Sequence, residues 1–170
     1  MTIESSTQQD IQTILKLYDY ATAYQQKMKA ILWPSFTEDQ IEQEIINSQQ
    51  WKICIDGDIA CVWMTTFDDP FIWEERNKDP SVYIHRIATN PNYRGRNFVK
   101  HIVDWAKTYA KQHHKQYIRL DTAGNNEKLI AYYTSCGFNF LGANPLKETS
   151  NLPKHYHNTP VCLFEMEVES

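Results

Sequence analysis

Residues 83–99 read YIHRIATNPNYRGRNFV, and residues 126–138 read NEKLIAYYTSCGF. The first stretch predicts a strand, a turn at Asn90 and Pro91, and then the start of a helix. The second predicts a helix that Asn125 or Asn126 caps and that Gly137 ends in a left-handed conformation. An apolar stripe at helical spacing and a strand over residues 116–121 lie between them. The middle of the chain therefore has the order strand, helix, strand, helix.

The flanking segments predict a mixed α/β fold. Two amphipathic helices with capping boxes precede the sheet, and Asp56-Gly57 between β-prone runs predicts a tight hairpin in which Cys54 faces Ile59. Residues 68–80 carry two prolines and many charges, which predicts an irregular loop. Residues 142–160 form a connection long enough to have a function. The predicted order is β-α-α-β-β-β-α-β-α-β-β.

Composition limits the class of protein. The 170 residues are 42% hydrophobic and predict a single domain over residues 1–170. A net charge of -4 does not predict nucleic-acid binding. The sequence shows no leader-like start and no membrane span, and it lacks CxxC pairs, so we expect a cytoplasmic protein with four free thiols. It allows a homodimer.

The turn after the first strand carries the clearest chemical signal. A strand that runs into RGRNF and directly into a helix aims unpaired backbone N–H groups and the positive helix end at one anion. Arg94 and Arg96 add positive charge, so a pyrophosphate would fit. Taken alone, the same residues also describe an ordinary surface turn.

With the second stretch added, the sequence resembles the GCN5-related N-acetyltransferases. That family combines such a strand with an Arg/Gln-x-x-Gly-x-Gly/Ala loop and an Asn-x-x-Ala-x-x-x-Tyr-x-x-x-Gly-Phe helix. The resemblance implies a V-shaped mixed sheet of about seven strands, flanked by about four helices. It also implies acetyl-CoA as co-substrate, with no metal.

The resemblance assigns site residues as well. It implies that the backbone of Ile87, Ala88 and Thr89 pairs with the pantetheine arm and that Asn126 lies at the cofactor. Tyr133 takes the place of the family tyrosine that stands near the thioether sulfur, where a phenol could protonate the departing thiolate, although its spacing also fits a core aromatic. The residues implied to hold the pyrophosphate are Arg94, Gly95, Arg96, Asn97, Phe98 and Val99.

Two positions depart from the family pattern. Asn97 stands where glycine is preferred, and Val99 stands where glycine or alanine is preferred. Asn tolerates positive φ but not the closest backbone approach, and Val adds bulk at the helix start. The alternative function is therefore an acyl-CoA-binding or interaction module that has kept the fold with little catalysis.

The attacking amine must lose a proton, because an alkylamine is mostly protonated at pH 7. His85 is the first candidate for the base, because an unperturbed histidine has a pKa of about 6.5 and can accept a proton near neutral pH. The alternative is that His85 is a hydrogen-bonded structural histidine. Weaker candidates for the base are Asp121 and three acidic residues of the predicted loop over residues 68–80, namely Asp68, Glu74 and Glu75. His155 and His157 have no third ligand at metal-site spacing.

The acceptor is expected to be a primary amine of a small molecule or peptide. Trp33, Trp73 and Tyr83 are the candidate walls of its pocket, although each is also explained by packing. The expected reaction is direct attack of the amine on the thioester in a ternary complex. Orientation and a strand N–H near the developing oxyanion would supply most of the catalysis.

Overall fold

The structure is a computed structural model that describes residues 1–169. The helices are α1 (Ile11–Lys27), α2 (Glu38–Ile46), α3 (Pro70–Trp73), α4 (Phe98–Gln112) and α5 (Glu127–Ser135). The strands are β1 (Thr2–Ser5), β2 (Gln50–Ile55), β3 (Asp58–Thr66), β4 (Ser81–Thr89), β5 (Tyr117–Ala123), β6 (Asn139–Pro145) and β7 (Pro160–Glu167). They form one mixed sheet in the order β1-β2-β3-β4-β5-β7-β6.

The predicted fold class is confirmed, with one added element. The prediction of about seven strands is met, and residues 1–169 contain five helices where about four were expected. The addition is α3, a single turn inside the segment that was predicted to be irregular. Pro70 occupies its first turn, where the missing N–H of proline costs no hydrogen bond. The splay of the sheet stays a prediction.

The chain divides into two compact units. Unit 1 comprises residues 1–65 and 84–98, and unit 2 comprises residues 66–83 and the chain from 99 onward. Strand β4 therefore contributes residues to both, and the single domain over residues 1–170 stays a prediction. None of the helices over residues 1–169 combines the length and apolarity needed to cross a bilayer.

Unit 1 contains the predicted hairpin. Asp56 and Gly57 both have positive φ, at 50° and 87°, as the two-residue turn that joins twisted strands requires. Cys54 pairs with Ile59, which confirms the predicted register, and all four cysteines are free. The core beneath the hairpin is apolar and is formed by Ile14, Leu17, Tyr18, Ile41, Val62 and Ala88.

Unit 2 contains a sheet with two distinct faces. In the antiparallel ladder between β5 and β7, Arg119 lies opposite Glu165 and Asp121 lies opposite Leu163. Because side chains alternate along a strand, these residues share one face with Val161. Cys162, Phe164 and Met166 lie on the other face. We call these the Arg119 face and the Phe164 face.

A buried guanidinium joins the elements on the Arg119 face. Arg119 is 1% exposed, and its Nη2 lies 2.8 Å from Asp79 Oδ2 and 2.6 Å from Glu165 Oε2. Its Nη1 donates to the carbonyl of Arg76 at 2.7 Å. The guanidinium carbon lies 4.7 Å from the centre of the Trp73 ring, a cation–π distance. The network connects β5 and β7 to the segment that follows α3.

Replacement of Arg119 by Met should therefore destabilise the protein. The change removes the shared partner of two partly exposed carboxylates, and losing hydrogen bonds to charged groups typically costs about 1.5–3 kcal/mol. Arg119→Lys keeps the charge but loses the planar fork, so its loss should be smaller. Urea unfolding of both variants beside the wild type measures the difference. Equal stability of the Met variant and the wild type would contradict the role given to Arg119.

Candidate active site

In unit 1, the predicted anion-binding turn is exposed and left-handed at two positions. Gly95 has φ of 79° and Asn97 has φ of 59°, and residues 94–97 are solvent-exposed. The guanidinium of Arg94 lies 4.9 Å from the centre of the Tyr24 ring, and that of Arg96 lies 5.3 Å from the Tyr93 ring. Helix α4 begins at Phe98 directly after this turn. The turn can therefore present backbone N–H groups and two cations to an anion.

The two departures from the family pattern have different outcomes. Asn97 adopts positive φ, the conformation for which glycine is preferred and which Asn tolerates best among other residues. Val99 is 7% exposed, so its extra bulk lies within the protein rather than in solvent. Position 97 therefore has positive φ with asparagine in place of glycine.

Strand β4 contains a left-handed residue, Arg86, which sequence analysis had not singled out. Arg86 has φ of 52°, and a left-handed residue inside a strand is typical of a β-bulge. Its Nη2 donates to both carboxylate oxygens of Glu44 at 2.6 Å, and its guanidinium carbon lies 4.7 Å from the centre of the Phe36 ring. Of the predicted pantetheine partners that follow, Ala88 is 1% exposed, whereas Ile87 and Thr89 are half-buried.

His85 does not have the pKa on which the sequence argument relied. Burial lowers the pKa of His85 to about 4, and the positive charge of Arg86 lowers it further in the same direction. The imidazole is therefore neutral at pH 7 and can accept a proton. A base of such low pKa has a weak driving force for taking a proton from an ammonium group. The candidate role of His85 as the base stays a prediction.

In unit 2, the helix end next to Tyr133 fixes its position. The N–H of Phe138 donates to the carbonyl of Tyr133 at 3.2 Å, and that of Gly137 donates to Thr134 at 3.0 Å. Gly137 has φ of 102°, so these bonds form the predicted glycine stop. The ring of Tyr133 packs edge-to-face on Phe138 at 6.1 Å and lies 5.2 Å from Phe164. Tyr133 thus lies half-buried on the Phe164 face.

Asn126 caps helix α5, which resolves the choice between two neighbouring asparagines. Its Oδ1 accepts a hydrogen bond from the N–H of Leu129 at 3.2 Å. This bond satisfies one of the free donors of the first turn. Asn126 is exposed, and its predicted contact with the cofactor stays a prediction.

Two carboxylates approach each other on the Arg119 face of unit 2. A carboxylate oxygen of Asp69 lies within 4.8 Å of one of Asp121, and Tyr156 donates to Asp121 Oδ2 at 2.8 Å. Burial, the charge of Asp121 and that of Asp68 raise the pKa of Asp69 to about 8. Burial raises the pKa of Asp121 to about 6, although the bond from Tyr156 acts against this. The pair can therefore hold a proton near neutral pH.

An open cavity of about 310 Å³ lies on the same face. Its apolar lining includes Ile72, Trp73, Leu146, Val161 and Leu163, and charged groups from Glu74, Glu75, Arg76 and Lys147 also line it. Pockets for small ligands usually have volumes of about 300 Å³ or more and combine apolar walls with a few polar groups.

The three predicted acceptor-pocket residues differ in their environment. Trp73 lines the cavity of unit 2. Tyr83 is fully buried, and its hydroxyl accepts from Arg119 Nη1 at 3.3 Å, so the geometry supports a structural role. In unit 1, Trp33 lines a smaller cavity of about 70 Å³ and packs edge-to-face on Tyr18 at 5.9 Å. Sequence analysis had ranked Asp121 as a weaker base candidate and had not named Asp69 or Tyr156.

Comparison with solved structures shows that proteins of similar fold are known. The structure is similar to an acetyltransferase of the GNAT family from Listeria monocytogenes, with a TM-score of 0.77 and 20% identity over 98% of this chain and 94% of that one. It is also similar to the protein yncA from Salmonella typhimurium, solved with its cofactor acetyl-CoA, with a TM-score of 0.72 and 14% identity over 100% and 95% of the two chains. At these identities the likeness shows the fold.

Sequence comparisons identify the family. The chain is 29% identical over 76 residues to the uncharacterized N-acetyltransferase YesJ of Bacillus subtilis (strain 168). That match spans 45% of this chain and 42% of YesJ, less than half of the relative's length. The model of the acetyltransferase (GNAT) family matches residues 16–138, which contain both quoted stretches. The chain therefore belongs to the acetyltransferase (GNAT) family.

Proposed function

We propose that this protein is an N-acetyltransferase that moves an acetyl group from acetyl-CoA to the primary amine of a small molecule or peptide. The observation that carries the proposal is the exposed turn before α4, left-handed at Gly95 and Asn97 and flanked by Arg94 and Arg96. Acetyl-CoA would supply the thioester carbonyl and the thiolate leaving group. The amine would attack this carbonyl directly in a ternary complex.

The turn would bind the pyrophosphate of the co-substrate. Anion binding at a helix start depends on backbone N–H groups that point outward and on the positive end of the helix dipole. Gly95 and Asn97 are both left-handed, with one residue between them. Such backbone turns form a concave arrangement of N–H groups that can bind phosphates. The stacking of Arg94 on Tyr24 and of Arg96 on Tyr93 would restrict both cations before binding.

The bulge at Arg86 would prepare strand β4 for the acetyl group. A bulge interrupts regular pairing and can release a strand N–H from its ladder. Such an N–H beside the thioester would stabilise the oxyanion that forms when the amine attacks. The ion pair between Arg86 and Glu44 would hold the bulge in place, since Glu44 is 8% exposed and also accepts from Gln50 at 2.9 Å.

Tyr133 would act as the acid that protonates the departing thiolate. A general acid needs a fixed position first and a suitable pKa second. The glycine stop at Gly137 and the ring contacts with Phe138 and Phe164 supply that position. His85, neutral at pH 7, would accept a hydrogen bond or pass on a proton rather than act as a strong base.

A binding module with little catalysis remains the second candidate, and the residues at 97 and 99 favour it. Titration calorimetry with acetyl-CoA, followed by a CoA-release assay on a panel of amines, separates the two functions. The enzyme binds acetyl-CoA and releases CoA with at least one amine, whereas the module binds without release. Failure to bind acetyl-CoA would contradict both.

Substitutions of Asn97 test the cofactor turn. Asn97→Gly should keep acetyl-CoA affinity or improve it, because glycine adopts positive φ without strain. Asn97→Val should weaken binding by about tenfold, since a β-branched residue strongly disfavours this conformation. Calorimetry gives both dissociation constants. Equal affinities of the Gly and Val variants would rule out a role for the turn conformation.

Substitution of Tyr133 by Phe tests the acid. The variant should lower kcat by about 100-fold, within the usual range for loss of a general acid, and leave the Kd for acetyl-CoA nearly unchanged. Tyr132→Phe, at the exposed neighbouring position, is the matched control and should keep full turnover. If the two variants have the same kcat in steady-state assays, Tyr133 is not the acid.

A further inference from the structure

The outer side of helix α1 in unit 1 carries a row of exposed apolar side chains. Tyr20, Tyr24 and Met28 follow one another at four-residue spacing and are 40%, 48% and 53% exposed. Residues at this spacing lie on one side of a helix. Ile31 and Leu32, which follow the end of α1, are also exposed. We call these five residues the α1 surface.

The α1 surface concentrates apolar exposure in a short part of the chain. Residues 1–169 contain eleven large hydrophobic side chains that are exposed, and five of them lie between residues 20 and 32. Single exposed hydrophobic residues are ordinary on protein surfaces, whereas a contiguous group of them marks a site of interaction. The α1 surface is therefore a candidate interaction surface.

Hydrogen bonds hold the segment that carries Ile31 and Leu32. The N–H of Ala30 donates to the carbonyl of Gln25 at 2.9 Å, and the N–H of Trp33 donates to Oε1 of the same glutamine at 2.9 Å. Both bonds connect the segment to the last turns of α1. The two apolar side chains therefore lie on a turn whose position is defined by its hydrogen bonds.

The charge around the α1 surface is positive, in contrast to that of the chain as a whole. Lys16, Lys27 and Lys29 are exposed, and Asp19 is the only acidic residue between positions 16 and 32. This stretch has a net charge of +2, whereas the whole chain has a net charge of -4. Within the described residues 1–169, none of the three lysines forms an ion pair. Their charges are therefore available to a partner.

Two cations lie over the aromatic rings of the α1 surface. Lys16 Nζ lies 5.8 Å from the centre of the Tyr20 ring, and the guanidinium carbon of Arg94 lies 4.9 Å from the centre of the Tyr24 ring. Arg94 belongs to the exposed turn that precedes α4. A partner on the α1 surface would therefore be held next to the turn that is proposed to bind the co-substrate.

Charge and composition favour an acidic protein segment as the occupant. A second copy of the chain would bring lysines against lysines, and like charges across an interface are costly. Helices that lie on membranes are typically rich in Trp, Phe and Leu on their apolar side. Tyrosine, methionine and arginine are instead enriched at protein–protein interfaces, and the α1 surface contains two tyrosines, one methionine and the adjoining Arg94.

We propose that the α1 surface docks a partner protein through an acidic segment in which carboxylate and apolar side chains alternate. The apolar side chains cover Tyr20, Met28 and Leu32, and the carboxylates pair with Lys27 and Lys29. The α1 surface takes no part in the proposed steps of acetyl transfer, so docking needs no turnover. The inference therefore goes beyond the proposed function, and either can fail without the other.

Two fluorescein-labelled peptides of equal length test the charge of the partner. Both carry Phe and Leu at the same positions, with Glu between them in one peptide and Lys between them in the other. The full chain should bind the acidic peptide about tenfold more tightly, and added salt should weaken this binding because it screens exposed charges. Fluorescence anisotropy gives both dissociation constants. Equal affinities, or no binding of the acidic peptide, would overturn the inference.

Charge reversal locates the binding surface. The double variant Lys27→Glu, Lys29→Glu should bind the acidic peptide about tenfold more weakly. The control is Lys107→Glu with Lys111→Glu, which reverses two exposed lysines of α4, changes the net charge equally and should stay within about twofold of wild type. Circular dichroism checks that both variants fold. A similar loss of affinity in both would show attraction by net charge alone and would overturn the inference.

Substitution of Met28 by Ser tests the apolar part of the surface. The variant should bind the acidic peptide about fivefold more weakly, because it removes an apolar side chain that the partner would cover. Ile46→Ser is the matched control, at another apolar residue of unit 1 that is 60% exposed, and it should keep the affinity of the wild type. Equal affinities of the two variants would contradict the role given to the apolar row.

Two further measurements test the other occupants. Sedimentation with vesicles of phosphatidylglycerol and phosphatidylcholine tests a membrane surface, and sedimentation equilibrium tests a second copy of the chain. Neither should show an association that Met28→Ser removes. Vesicle binding or a dimer that this variant abolishes would assign the α1 surface to that occupant and overturn the inference.

Discussion

The buried guanidinium of Arg119 is the constraint on which the arrangement of unit 2 depends. A cation removed from water is tolerated only when it is fully paired and hydrogen-bonded, and Arg119 meets that condition with Asp79, Glu165 and the Arg76 carbonyl. The planar fork fixes where each partner can lie. Because the same guanidinium stacks on Trp73, the wall of the cavity is held by the interaction that joins β5 and β7.

Asp69 and Asp121 show the opposite electrostatic arrangement on the same face. Burial raises the pKa of both carboxylates, and the charge of Asp121 raises that of Asp69 further. Arg119 is not used to neutralise them, since its donors are occupied by Asp79, Glu165, Tyr83 and Arg76. Arg119 is a fully paired charge, which fits a structural role. Asp69 and Asp121 are two neighbouring acids with raised pKa values, which fits groups that exchange protons.

Local chemistry made much of the fold predictable from the sequence. The hairpin register at Cys54, the cap by Asn126 and the stop at Gly137 follow from residues adjacent in the chain, and each is confirmed. The positive φ of Asn97 likewise follows from the type of residue at that position. The short helix α3 was missed, since one turn of helix has too few residues to show a helical period.

The candidate site was less predictable because its chemistry depends on residues distant in sequence. Burial changes the pKa of His85, and no local pattern reports burial of a single histidine on a strand. The approach of Asp69 to Asp121 requires the sheet to be assembled first. Arg119 looked like one of several strand residues, and only the pairing of β5 with β7 brings Glu165 to it.

The two faces of β7 bear on the mechanism. Tyr133 contacts Phe164 on one face, whereas the cavity residues Val161 and Leu163 project to the other. Tyr133 and the cavity therefore lie on opposite faces of the same strand. A covalent route would need a reactive thiolate instead. Cys136 and Cys162 are both buried, and burial raises the pKa of Cys162. Neither thiol of unit 2 is therefore in the exposed setting that is typical of a nucleophilic cysteine.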